Sequence, residues 1–379
     1  PPDGFQPLNL ANILPETVIA RPDQYVGVTT FQAPNSEPVV FDVFNFQPDL
    51  LIGKSRTNTY NFEWVDSVTG GAWVKSSNSS GAATEYASNH PIRSFNYNGF
   101  TAGLNFSVLY GSGDSVVWGF KAGGNKNTFN VDDVGYASAA AAGLDGGTID
   151  PTGASVGTNQ GFSILKYTGT GANATVSHGL GKVPKFMIIK NLDDTSHWVV
   201  YHHSLGTGEH ALWLNEPDAD QTGFDYWNGE PTSSVFTLGA ETHASGTNLN
   251  TKNYINYIWS DVPGLQKFGS YGGNDVDDGP FIELGFKPAI VIYKNSTNAG
   301  NEWIIVDSKR DPHNVVKHIL NPNDNTADDT STNLVDFLSN GFKLRSATSR
   351  ANKAGGVIVY AAWAESPTVN LYGGQSNAR

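Results

Sequence analysis

Three histidines crowd the segment HWVVYHHS: His197, His202 and His203. In an extended strand His197 and His203 fall on one face and His202 on the other. Imidazole clusters are a common metal-ligand pattern. A histidine at a strand end serves equally well as a surface or hydrogen-bonding residue, so the metal-ligand set stays open. Two loops carry hard oxygen donors that suit calcium, Asn274-Asp275-Val276-Asp277-Asp278 and Asn321-Pro322-Asn323-Asp324-Asn325. Neither has the full calcium-loop spacing with its closing Glu. Asp and Asn also populate ordinary turns without any ion. Paired carboxylates can cleave glycosidic bonds when they face each other across a cleft. Glu63 with Asp66, and Glu302 with Asp307, are the pairs that spacing offers; solvated strand ends would read the same way. No Gly-x-Ser-x-Gly elbow, phosphate loop or dinucleotide fingerprint occurs in its required context. No catalytic and no cofactor-binding residue is therefore assigned, and the chain is expected not to be an enzyme. Trp73, Tyr226 and Trp227 lie in Gly-rich surroundings and read as exposed loop aromatics. Exposed aromatics anchor protein interfaces or stack on sugars, and interface contact is the favoured role here.

The chain of 379 residues is long enough for two or three cores. It carries 9 Trp, 15 Tyr and 20 Phe among many Gly, Asn, Ser and Thr, which favours strands joined by tight turns over helices. The net charge of −13 disfavours nucleic acid and anionic bilayers as partners. No apolar run is long enough to span a membrane as a helix. With no cysteine, disulfides, thiolate zinc sites and cysteine catalysis are excluded. The first residue is Pro1 and the only Met is Met187, so a processed chain or a portion of a longer one is expected.

Internal repeats organise everything else. FQPDLLIGKS, KVPKFMIIKN and FKPAIVIYKN each place a Lys six residues after a Pro: Lys54 after Pro48, Lys190 after Pro184, Lys294 after Pro288. The residues between are apolar on both alternating faces, as in an interior strand covered on two sides. The Lys is expected where the strand leaves the core, with its stem snorkelling to solvent. An aromatic follows eight or nine residues after each Lys: Phe62, Trp198 and Trp303. Asp66-Ser67 and Asp307-Ser308 stand where the middle copy has His202-His203. Asn98-Gly99 and Asn340-Gly341 predict hairpins with type I′ turns; the middle copy has a segment ending at Phe236 instead. Each copy closes on a strand bearing Trp118, Trp259 or Trp363, expected at equivalent core positions. The copies run 24–122, 160–263 and 264–370, after an N-terminal segment 1–23 and before a tail 371–379. Residues 123–159 form a Gly/Ala/Ser-rich linker or an arm gripping a neighbouring subunit.

These patterns predict an all-β fold of three related antiparallel, sandwich-like units. The units are strung in a row or set around a pseudo-threefold axis. The strings FQPLNLANILPETVIARPDQY, KAGG at Lys121–Gly124, YTGTGANATVSHGLGKVPKFMIIK, KFGSYGGNDVDDGPF, DFLSNGFKLR and LYGGQSNAR carry a family resemblance over nearly the whole chain. The chain resembles a repeat domain of unknown function found in tail-fibre and other virion structural proteins of marine bacteriophages, cyanophages among them. Residues 30–46 fit that pattern least. The resemblance implies a virion protein, with other virion subunits and a host-surface receptor as partners. Tail fibre or tail-associated adsorption component is the leading expectation. A head fibre or decoration protein, and in another class a carbohydrate-active tailspike enzyme, are the alternatives. Analogy with phage fibres suggests a homotrimer. No catalytic or ligand residue is carried over from the family.

Overall fold

A strand that is apolar on both faces needs a cover on both, and two different covers are present. The computed structural model describes residues 18–111, 113–206, 209–240 and 242–368. The tail 371–379 and most of the segment 1–23 lie outside the described residues. The Pro-to-Lys segments form strands Leu50–Ser55, Phe186–Asn191 and Phe286–Asn295, almost wholly buried. Leu50 and Ile52, Phe186 and Ile188, and Ile290 and Ile292 all enter one shared core. Their alternates enter three separate outer cores: Leu51 the first, Met187 and Ile189 the second, Val291 and Tyr293 the third.

Each of these strands belongs to a different large sheet, and one strand order recurs in all three. In the first, Asp114–Phe120 lies between Val26–Gln32 and Leu50–Ser55, with Glu63–Asp66 next. In the second, Asn253–Trp259 lies between Phe162–Thr168 and Phe186–Asn191, with Val199–His202 next. In the third, Val357–Pro367 lies between Gln266–Gly272 and Phe286–Asn295, with Ile304–Asp307 next. All these neighbours pair antiparallel. Small sheets cover the outer faces: Val39–Asp42 with Gly99–Ala102 and Ile92–Asn96, then Ala174–Ser177 with Val235–Leu238, then Phe281–Glu283 with Gly341–Leu344 and Val335–Leu338. The fold is all-β and sandwich-like, and the only α-helix among the described residues is the single turn Ser349–Asn352.

Three rings meet where the large sheets converge. Phe120, Trp259 and Trp363 contact one another pairwise at 6.1, 5.3 and 5.8 Å, all edge-on. Edge-to-face contact is the favoured geometry for aromatic quadrupoles. The pairing register sets these three level: Phe120 pairs with Leu50, Trp259 with Phe186, Trp363 with Ile290. Trp118 is therefore not equivalent to Trp259 and Trp363, contrary to the expectation from the repeat pattern. It stands two residues away, opposite Ile52, level with Tyr257 opposite Ile188.

The hairpins form where Asn-Gly predicted them, but by another turn. The central pairs are Tyr97-Asn98 and Ser339-Asn340, and none of these residues has positive φ. The glycines instead admit a neighbouring strand. A Cβ on Gly99 would lie 1.8 Å from the Phe41 carbonyl oxygen, and one on Gly341 2.0 Å from that of Ile282. Residues 123–159 are neither a free arm nor a plain linker. Phe129–Val131, Val134–Tyr136 and Gly153–Gly157 extend the second sheet, the last strand being wholly buried.

The indole nitrogens of Trp259 and Trp363 are buried without a hydrogen-bond partner. Trp363→Ala should therefore cost about 3–5 kcal/mol by opening a cavity at the junction. Trp363→Phe, the ring that the first sheet uses at Phe120, should cost clearly less because it removes an unpaired donor. Urea melts of both variants check this; equal losses would show that ring size, not ring contact, governs the site.

Candidate functional site

The strand-end positions singled out for chemistry lie level with one another: Asp66 opposite Leu50, His202 opposite Phe186, Asp307 opposite Ile290. Each is buried and each is bonded to another sheet. Tyr257 Oη of the second sheet donates to Asp66 Oδ2 of the first at 2.9 Å. Trp118 Nε1 of the first donates to Asp307 Oδ2 of the third at 3.1 Å. His202 Nε2 of the second donates to the Tyr360 carbonyl of the third at 3.1 Å. The same residues hold the turns that follow. Asp66 Oδ1 accepts from the backbone N–H of Val68 and Thr69 at 3.0 and 2.7 Å. Asp307 Oδ1 accepts from those of Lys309 and Arg310 at 3.0 and 2.8 Å. His202 Nδ1 accepts from Ser204 N at 3.2 Å, which places the ring proton on Nε2.

The charges at these positions are compensated internally. Burial would push the Asp66 carboxyl up, but Lys75, 2.6 Å away and equally buried, holds it below its ordinary value. Burial would likewise lower Arg310, yet Asp307 at 2.6 Å and Asp328 at 2.8 Å keep its guanidinium above the usual range. That guanidinium also lies 5.4 Å from the centre of the Trp118 ring. Burial pushes His202 down to about 3, so it is a neutral hydrogen-bonding group.

The histidines do not converge. His203 Nε2 donates to the Phe268 carbonyl at 3.1 Å. His197 stacks on Trp213 at 3.9 Å, and its Nδ1 accepts from the Asn215 amide at 2.9 Å. Among the described residues no group of three or more His, Asp or Glu is placed to hold a metal ion. In the first Asp-rich loop Asp275 pairs with Lys353 at 2.8 Å and Asp278 with Lys343 at 2.9 Å. Asp277 accepts from Ala347 N at 2.9 Å. In the second, Asn323 Oδ1 accepts from Trp303 N at 3.0 Å, as Asn78 does for Phe62 and Asn215 for Trp198. Asp324 caps its own turn through Asn325 N and Thr326 Oγ1.

The carboxylate pairs do not share a cleft. Glu63 and Asp66 belong to opposite faces of one strand: Asp66 reaches another large sheet, while Glu63 Oε2 accepts from Ser107 N at 2.7 Å under the outer core. Glu302 accepts from the Asn323 side-chain amide, away from the Asp307–Arg310 pair. Tyr226 and Trp227 are buried, not exposed as expected. They fold back on the second outer core, where Trp227 meets Tyr201 at 5.5 Å and donates to the His210 carbonyl at 3.0 Å. Trp73 starts the strand Trp73–Ser76 and is half-buried.

The repeated lysines do not snorkel. Lys54, Lys190 and Lys294 are fully buried. Lys54 Nζ donates to the carbonyls of Ser55 and Asn58, Lys190 Nζ to those of Ser80 and Ser196, and Lys294 Nζ to that of Asn301. Burial pushes Lys190 down to about 7 and Lys54 and Lys294 down to about 8. Two acids shift the other way: burial raises Asp49 to about 6 and Glu63 to about 7. Sequence reading missed all of these, because a Lys that ends an apolar strand looks like a solvent anchor. It also missed a cavity of 420 Å³ beside Tyr97, whose segment reads only as a hairpin.

Residues 21–367 match a family described as a domain of unknown function, DUF7483. The chain belongs to that family. No curated protein and no solved structure matches it.

Two outcomes test these assignments. Glu63 is protonated more readily in the fold than in the unfolded chain, so its contribution is full below about pH 4 and is lost as pH rises through about 7. Glu63→Gln should thus raise the urea midpoint at pH 8 and leave it near the parent's at pH 4. A lower midpoint at pH 8 would refute a buried, reluctantly ionised Glu63. For the Asp-rich loops, chelator should leave the melting temperature unchanged, since Lys353 and Lys343 already neutralise Asp275 and Asp278. A melting temperature that climbs with calcium would contradict this.

Proposed function

We propose that this member of the DUF7483 family is a non-catalytic structural protein of a bacteriophage particle, a tail fibre or tail-associated component that works by contact. The observation that carries the non-catalytic part is the use of Asp66, His202 and Asp307 as joints between sheets. These three side chains are buried and bonded across sheet boundaries, so they stiffen the scaffold instead of facing a ligand. The virion part rests on the likeness of the repeat strings to virion structural proteins of marine phages. A head fibre or decoration protein would use the same scaffold at another place on the particle.

In sea water, at roughly 0.7 M ionic strength, charges are screened within a few Å. Contact with other virion subunits, with further copies in a homotrimer, or with a host surface would then rely on packing and hydrogen bonds. Gold-labelled antibody against the chain should decorate the tails of intact particles. Label on the capsid would move the protein to the head, and particles that encode the chain but take no label would refute virion membership. Purified protein should release no reducing sugar from host polysaccharide. Release that a single carboxylate substitution abolishes would establish the tailspike-enzyme alternative.

A further inference from the structure

Four separate segments bring polar side chains to the cavity at one end of the first sheet. Its floor is built on two buried rings. Phe44 and Phe46 stack at 5.1 Å, and a Cβ on Gly27 or Gly119 would come within 2.5 or 2.6 Å of the Phe44 ring, so glycine is needed beneath it. Burial alternates along Phe44-Asn45-Phe46-Gln47, which leaves Asn45 exposed and Gln47 half-buried above the rings. Their amide nitrogens are committed: Asn45 Nδ2 donates to Asp23 at 2.8 Å and Gln47 Nε2 to Asn125 at 2.8 Å. Their amide oxygens take no hydrogen bond from the described residues and are fixed acceptors.

The opposite wall is equally fixed. Asp133 is the second central residue of a tight turn, at φ +65°, and its backbone N–H donates to the Gly123 carbonyl at 2.8 Å. Lys121 grips both carboxylate oxygens, at 2.9 and 2.8 Å. Lys126 donates to the Asp133 carbonyl at 2.5 Å from the rim. Above the cavity stands Tyr97, 87% exposed at the tip of its hairpin.

This set selects its ligand by chemistry. An apolar molecule would leave the amide oxygens and the ion pair desolvated without partners. A phosphate would meet the Asp133 carboxylate. A pyranose offers hydroxyls that donate to the fixed acceptors and accept from lysine, and a C–H face for an aromatic ring. The 420 Å³ volume falls in the range of small-molecule pockets, about 300–1,000 Å³. We infer that this cavity is a carbohydrate-binding site, with Tyr97 as the stacking face and Asn45, Gln47 and Asp133 as hydroxyl acceptors. This deepens the contact reading and rests on it.

The test uses the full chain and hexasaccharides of cellulose, xylan, agarose and polygalacturonate, observed by saturation-transfer NMR in marine salt. At least one should receive magnetisation on its ring protons. Tyr97→Ala should weaken that binding by about tenfold without changing the melt, because so exposed a ring contributes little packing. Gln47→Ala should weaken it too. Absence of transfer from all four sugars at about 10 mM, a concentration where even feeble sites fill, overturns the proposal. So does binding that both variants retain. Adhesion of the chain to marine cyanobacterial cells separates the two levels. If Tyr97→Ala adheres as the parent does, the sugar site falls and the contact reading stands. If the parent binds sugar yet adheres to neither cells nor particles, the site stands and the contact reading falls.

Discussion

Buried polar bonds tie the three large sheets into a closed ring. The second sheet reaches the first through Tyr257 and Asp66, the first reaches the third through Trp118 and Asp307, and the second reaches the third through His202 and the Tyr360 carbonyl. Each bond runs from the middle strand of one sheet to the strand end of another, or back. Removing one partner would strand a buried polar group at the junction, which is the costly direction of such a change. The ring therefore fixes how the sheets meet, and only then can Phe120, Trp259 and Trp363 touch edge to face. Two further indoles brace it: Trp198 Nε1 donates to the Ser76 carbonyl at 3.1 Å and Trp303 Nε1 to that of Trp213 at 2.9 Å, each across a sheet boundary.

This geometry explains which parts of the fold could be read from the chain. The strands that are apolar on both faces announced two covers, and they have two: the shared core on one side and a small sheet on the other. Periodicity carries that information because it depends only on which side of a strand each residue leaves. Register does not show in it. Trp118 looks like the partner of Trp259 and Trp363 in the sequence, yet it stands two residues along the strand, where its indole reaches Asp307. Side-chain environment was the least legible. Lys54, Lys190 and Lys294 resemble anchors at strand ends, but loops fold over them and present carbonyl oxygens. Tyr226-Trp227 resembles an exposed loop because flanking glycines say nothing about what lies beneath it. Residues 123–159 looked like a linker because their small residues pack flat, as the wholly buried Gly153–Gly157 does.

The candidate site divides in the same way. The strand-end set of Asp66, His202 and Asp307 was visible as a set, since the repeats align it. Its work as a joint was not visible, because the partners Tyr257, Trp118 and Tyr360 lie far away in the chain. The cavity beside Tyr97 had no signal of its own. It draws on residues from Gln24 to Asp133 that come together only when the first sheet and the extension of the second are both in place.

The strand order has a consequence for how the protein is made. In every large sheet the strand in the middle of the repeated order is the last of that sheet to leave the ribosome: Asp114–Phe120, Asn253–Trp259 and Val357–Pro367. Until it arrives, the two strands that will flank it have unpaired edges facing each other across a gap. Such edges recruit other chains, and sheets closed by distant segments form slowly. The third wall of the shared core is incomplete until Val359, Ala361 and Trp363 are synthesised. Nascent chains of this protein thus carry open strand edges in each sheet until its middle strand is made, the kind of surface through which incomplete folds aggregate.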